Sequence, residues 1–226
     1  MVGKREEGEH AYPAKLTCKT RRFYEQASGK KAEGIDLMND QEGSNLTSSQ
    51  QAMADLWDKH MESEFASQSV EDTLETMVED EPYVNHVPVL TGGVGLDEVR
   101  KFYSERFIPQ QPPDMEIVPL SRTVGNDRVV DELISSFTHT VKMDWLLPGI
   151  PPTGRRVEFP LVVIVQFRAG KIASEHIYWD QASVLVQVGL IDLETLPVAG
   201  SESARKVLEP TSVPSNGLIE RAQRGA

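Results

Sequence analysis

Hydrophobic positions along this chain change period twice. After a polar stretch, Met53, Leu56, Trp57, His60, Met61 and Glu64 recur at three- and four-residue spacing behind a Thr47/Ser48 cap, which predicts an amphipathic helix with His60 on or beside its apolar stripe. "SVEDTLETMVEDE" predicts a second, shorter helix, with Ser69 as cap and acids in the first turn, where the helix dipole favours them. "PYVNHVPVLTGGVGLDEVRKFYSERFIP" reads as a short extended segment, a glycine turn and a third helix. That helix buries Leu96, Val99, Phe102, Tyr103 and Phe107 and ends at the prolines that follow. From there the period becomes alternating. "DMEIVPLSRTVGNDRVVDELISSFTHTVKMDW" predicts two strands about "GND", and "RRVEFPLVVIVQFRAGKIASEHIYWD" two more about "AG". "LLPGIPPTG" is a proline-rich connection between the hairpins, and "QASVLVQVGL" reads as a closing helix or a terminal strand.

Three helices followed by four long strands define an α+β domain. A curved antiparallel sheet with the helices on its concave side buries both apolar faces and encloses a pocket. The domain is expected over residues 50–192. Residues 1–49 read as a polar, irregular arm and residues 193–226 as a meandering C-terminal tail.

Composition narrows the partners. A net charge of -12 argues against nucleic acid and against an anionic membrane surface, both of which call for a basic face. The basic cluster Lys19, Arg21 and Arg22 reads as a solvated run or a docking patch. Cys18, the one cysteine, leaves no intramolecular disulfide or thiolate metal cluster. With neither an apolar leader core nor a run of ~18 apolar residues, a cytoplasmic setting is expected.

The element order, the closing "GKIASEHIYWDQASVLVQVGL" and the earlier "YVNHVPVLTGGVGLDEVRKFY" resemble SnoaL-like proteins of the nuclear-transport-factor-2-like superfamily. The resemblance implies a cone-shaped α+β barrel, frequently a homodimer through the open sheet face. The functions it implies range from polyketide cyclases, isomerases, dehydratases and epoxide hydrolases to plain binding modules, so fold does not settle function.

Four histidines fall in the domain: His60, His86, His139 and His176. Only histidine titrates unperturbed near neutrality, so a pocket holding several can supply both acid and base. Alternation places Leu133, Phe137, His139, Val141 and Met143 on one strand face, with His139 pointing inward. In the last strand His176, Tyr178 and Asp180 share one face, and Glu175, Ile177 and Trp179 the other. The first set is favoured for the pocket, against the alternative that Asp180 caps the next helix. The candidate catalytic groups are therefore His86, His139 and Asp180. Candidate substrate contacts are Trp57, His60, Tyr83, Phe137, Trp145, His176 and Tyr178, each with an ordinary packing role as its alternative.

No metal or cofactor is expected, since "HMESE" lacks the second histidine of an HExxH zinc motif. There is no nucleophile elbow or phosphate loop, and "TGGVG" reads as an ordinary turn. The expected function is cofactor-independent proton transfer on a hydrophobic, carbonyl-bearing small molecule, ending in cyclisation, isomerisation or dehydration. The competing reading is a non-catalytic ligand-binding or dimerisation module.

Overall fold

A computed structural model describes residues 46–224. The arm expected over residues 1–49, with Cys18 and the Lys19–Arg22 cluster, lies outside the described residues as far as residue 45. Helix α1 (Ser48–Phe65) starts at a capping box, in which Thr47 and Gln50 each satisfy the other's backbone N–H. It buries Met53, Trp57, His60, Met61 and Glu64, the stripe the periodicity predicted. Helix α2 (Val70–Glu75) follows, capped by Ser69.

The segment after α2 contributes more sheet than its sequence suggested. Strands β1 (Tyr83–His86) and β2 (Thr91–Val94) form an antiparallel hairpin. Two adjacent glycines permit it. A Cβ on Gly92, whose φ is +139°, would sit 1.9 Å from the Val84 carbonyl oxygen. One on Gly93 would sit 2.6 Å from the Glu98 carbonyl carbon, where α3 (Leu96–Phe102) crosses the hairpin. The third helix is shorter than predicted. After Phe102 the chain widens into a π-helical turn, Tyr103–Phe107, closed by the Ile108 N–H on the Tyr103 carbonyl, and then into a 3₁₀ turn at Ile108–Gln110. This turn buries Tyr103 and Phe107 together, a geometry often found beside functional sites.

The four long strands are β3 (Glu116–Val124), β4 (Arg128–Thr138), β5 (Arg156–Arg168) and β6 (Lys171–Trp179). They join the hairpin in one six-stranded sheet of order β2-β1-β6-β5-β4-β3, antiparallel except where β1 runs parallel to β6. Register shifts at Pro119/Ser121 and Gln166/Phe167 bend the sheet around the helices. One apolar core fills the concave side. It runs from Trp57 and Met61 on α1 through Phe102 and Phe107 to Leu133, Phe159 and Ile177 on the strands.

The segment after Asp180 resolves as a helix, α4 (Gln181–Gln187), and the tail carries two more, α5 (Glu202–Leu208) and α6 (Gly217–Arg224). Pairing of β5 with β6 begins at Leu161, so β5 has a free edge before it. There the Gln187 amide both accepts from the Glu158 N–H (2.8 Å) and donates to the Glu158 carbonyl (3.0 Å).

Candidate functional site

The cone encloses an apolar cavity with one acidic end. Its water-accessible volume is about 50 Å³, within about 600 Å³ of space once the mouth is counted out to solvent. Aromatic and aliphatic walls come from every layer: Trp57 and Phe65 from α1, Phe102 and Phe107 from the α3 region, Trp145 from the long loop, and Phe159, Ile177 and Trp179 from the sheet. Set into these walls are Glu64, Tyr103, Glu175 and His86.

Glu64 reaches the cavity because it lies one helical turn after His60, and Glu175 because it sits on the concave face of β6. His60 stands behind them, fully buried. Its Nε2 lies 3.2 Å from Glu64 Oε1 and 3.1 Å from Glu175 Oε1, and its Nδ1 lies 2.6 Å from Thr76 Oγ1. The Thr76 hydroxyl donates to the Thr73 carbonyl, so it accepts from the imidazole, and Nδ1 carries a proton. Burial alone would make His60 less basic. Glu175 and then Glu64 outweigh it and push the ring up to about 10, an imidazolium at neutral pH. Trp57 stacks on that ring at 5.4 Å and 19°. Its indole N–H donates to Asp131 (2.7 Å), which Arg122 grips with two further hydrogen bonds of 2.7 and 2.8 Å.

The two carboxyl groups share one cation and differ in their surroundings. Burial favours the neutral acid of Glu64 and raises it, against the pull of His60. Glu175 accepts from the His60 imidazolium and from the Tyr103 hydroxyl at 3.3 Å. Burial and the neighbouring carboxylates hold Tyr103 well above its ordinary range, so it remains a hydrogen-bond donor. The arrangement gathers two carboxyl groups and a phenol hydroxyl around one buried cation in an apolar enclosure. His60, Glu64 and Glu175 are also the group among the described residues that could hold a metal ion, their ligand atoms lying within 4.8 Å of one another.

The sequence candidates separate into two groups. His86, Trp57 and Trp145 line the cavity, and His60 backs its acidic end. The others lie elsewhere. The face of β6 that looks inward is Glu175, Ile177 and Trp179, the reverse of the one favoured from sequence. His176 and Tyr178 therefore point away, with Tyr83 packed on His176 at 5.3 Å and Tyr178 42% exposed. Asp180 is exposed and caps α4, accepting from the Ala182 N–H at 2.9 Å. His139 follows the end of β4 and contacts Thr153 (3.2 Å) instead of the cavity. Phe137 packs in the core against Phe159 without reaching the cavity wall.

Fold and cavity together define a nuclear-transport-factor-2-like cone with an internal small-molecule-sized site. The chain belongs to the SnoaL-like domain family, which it matches over residues 51–175. It is similar in structure to a protein of Jannaschia sp. CCS1 provisionally described as a SnoaL-like polyketide cyclase. That match has a TM-score of 0.53 and 17% identity, covering 66% of this chain and 100% of the other. IdmH of Streptomyces antibioticus, provisionally described as a polyketide cyclase, matches with 19% identity and a TM-score of 0.43, over 63% of this chain and 99% of its own. A ketosteroid isomerase-like protein of Catenulispora acidiphila DSM 44928, in complex with trimethylamine, matches with 14% identity and a TM-score of 0.47, over 60% and 93%. No curated protein sequence matches the chain. Identities this low establish the fold, and the chemistry has to be argued from the residues.

No helix among the described residues is long and apolar enough to cross a membrane.

Proposed function

We propose that this protein catalyses cofactor-independent proton transfer on a hydrophobic, carbonyl-bearing small molecule bound in the cone. The observation that carries the reading is the pair Glu64 and Glu175, side by side on a largely apolar cavity wall and bridged from behind by His60. In this mechanism the Glu175 carboxylate removes a proton alpha to the substrate carbonyl. Glu64, in its neutral form, donates a hydrogen bond or a proton to the developing enolate oxygen. The His60 imidazolium does not exchange its proton. It offsets the charge that would otherwise make two neighbouring carboxyl groups costly to bury, and Tyr103 orients Glu175. The enolate can then collapse by cyclisation, by isomerisation, or by expulsion of a beta hydroxyl. Exclusion of water by the aromatic walls strengthens each of these interactions. A homodimer through the outer sheet face, where Tyr178 pairs with Val162, belongs to the same proposal and is checked by sedimentation.

The test is deuterium exchange from solvent into hydrophobic ketones such as 1-tetralone, followed by NMR. Wild type and Asp180→Asn should exchange at the same rate, while Glu175→Gln falls at least 100-fold and Glu64→Gln falls as well. Equal exchange in wild type and Glu175→Gln would overturn the assignment.

A further inference from the structure

His60 Nε2 is crowded by oxygen. Besides Glu64 Oε1 at 3.2 Å and Glu175 Oε1 at 3.1 Å, the Tyr103 hydroxyl lies 3.3 Å from it and 3.3 Å from Glu175 Oε1. One N–H points a single way, so it cannot make short, straight hydrogen bonds to three oxygens at once, and none of the three is closer than 3.1 Å. The spacing suits a central cation. Ligand atoms held tetrahedrally at about 2.0–2.1 Å from a Zn²⁺ ion stand about 3.3 Å from one another.

The surroundings prepare these atoms as a ligand set. The Nδ1 proton of His60 is held by the Thr76 hydroxyl, itself anchored by donating to the Thr73 carbonyl (2.6 Å), which leaves Nε2 as the nitrogen able to offer a lone pair. Metal-binding histidines are oriented in this way, by a fixed acceptor on the other ring nitrogen. Glu64 follows one turn along the same helix and Glu175 comes from β6, and all three residues are buried. With both carboxyl groups ionised and the imidazole neutral, the set carries two negative charges, which one divalent cation cancels in a site where uncompensated charge is costly. Among the described residues no lysine or arginine lines the cavity to take that place. The water-accessible space of about 50 Å³ beside the carboxyl groups has room for a water as the remaining ligand.

We propose that His60 Nε2, Glu64 and Glu175 form a binding site for a divalent transition-metal cation of the zinc type, with a cavity water in the fourth position and Tyr103 orienting Glu175. Mixed nitrogen and oxygen donors favour this class over Mg²⁺, which prefers oxygen ligands alone and gives up its waters reluctantly. The cation takes the place of the Nε2 proton, which leaves to solvent together with any proton on Glu64. This goes beyond the proton-transfer reading and describes a second state of the same atoms. Glu175 cannot ligate a metal and remove a substrate proton at the same time, so the cation switches that reaction off.

The test is titration calorimetry of the full chain, freed of metal by a chelator, with ZnCl₂ and with MgCl₂. Zn²⁺ should bind at least about 100-fold more tightly than Mg²⁺. Glu175→Gln should weaken Zn²⁺ binding at least about 100-fold, and Thr76→Val, which removes only the acceptor that orients His60, about tenfold or more. Asp180→Asn should bind as wild type does. In wild type alone, Zn²⁺ should remove the Nε2–H signal of His60 from the ¹⁵N spectrum and keep that of Nδ1–H, a readout that does not depend on any variant folding. No Zn²⁺ binding, binding undiminished in Glu175→Gln, or His60 resonances unmoved by Zn²⁺ would overturn the proposal. The two readings fail separately. Deuterium exchange into 1-tetralone by metal-free protein that does not bind Zn²⁺ sinks this proposal alone, and Zn²⁺ binding at His60 without exchange by the metal-free protein sinks the catalytic reading alone.

Discussion

Replacing Glu175 with Gln tests the electrostatic core of the site without requiring a substrate. At about 1.4 kcal/mol per tenfold change in proton affinity, the rise of His60 from 6.5 to about 10 amounts to about 5 kcal/mol of preference for the charged ring in the folded state. The sign follows from linkage: the native state holds this proton more tightly than the unfolded chain does. Its stabilisation is therefore complete below pH 6.5, shrinks as pH rises, and is gone above about 10. Between pH 6 and pH 9 the wild type should lose about 3 kcal/mol of unfolding free energy from this group. Glu64, also raised, contributes in the same direction, since it too binds its proton more tightly when folded. Glu175 is the strongest attraction raising His60, so Glu175→Gln should cut the loss over that interval roughly in half, by about 1.5 kcal/mol, and Glu64→Gln should cut it less. Urea unfolding followed by tryptophan fluorescence at several pH values gives the comparison, with an unchanged m-value as the check that the unfolding reaction is the same. Stability that is flat from pH 6 to pH 9 in wild type, or falls equally in wild type and Glu175→Gln, would refute the imidazolium bridge.

Three further outcomes are expected. His86 is held neutral, so its contribution is present above pH 6.5 and is lost as pH falls toward about 4. Wild type should therefore lose about 3 kcal/mol over that interval from this group, and acid unfolding of His86→Phe should be flatter, as read by urea denaturation at about pH 4 and pH 6.5. Asp180→Ala should cost about 1 kcal/mol through loss of the α4 cap and leave deuterium exchange unchanged. A loss of exchange with the fold intact would return Asp180 to the site. Gly92→Ala should destabilise by more than about 3 kcal/mol in thermal unfolding, because its Cβ would overlap the Val84 carbonyl and its φ of +139° is strained for any other residue. A near-neutral result would mean that the β1–β2 hairpin does not pack as described.

The sequence revealed the architecture more readily than the site, and the reason lies in what each depends on. Long elements report themselves through many residues. The stripe of α1, the cap at Thr47 and the two hairpins about "GND" and "AG" each rest on several positions, and all recur in the structure. Strands β1 and β2 have four residues each, too few to show a period, and their membership in the sheet depends on tertiary contacts: two glycines that let backbones approach and a parallel edge on β6. The inward face of β6 was a binary choice on which alternation was silent, since each face carried an ionisable group and an aromatic ring. His176, Tyr178 and Asp180 carry three polar-capable groups at spacing two, which favours their face for a polar pocket, yet it is the Glu175, Ile177 and Trp179 face that lines this one. In this cone the pocket wall is mostly apolar, and a functional carboxylate is better marked by apolar neighbours at spacing two, here Ile177 and Trp179, than by polar ones. The same logic explains the helix. His60 and Glu64 one turn apart on a stripe otherwise made of Met53, Trp57 and Met61 put two ionisable groups where only a partner from elsewhere could make them tolerable, and that partner is Glu175. A buried charge on one element thus calls for a complementary buried group on another.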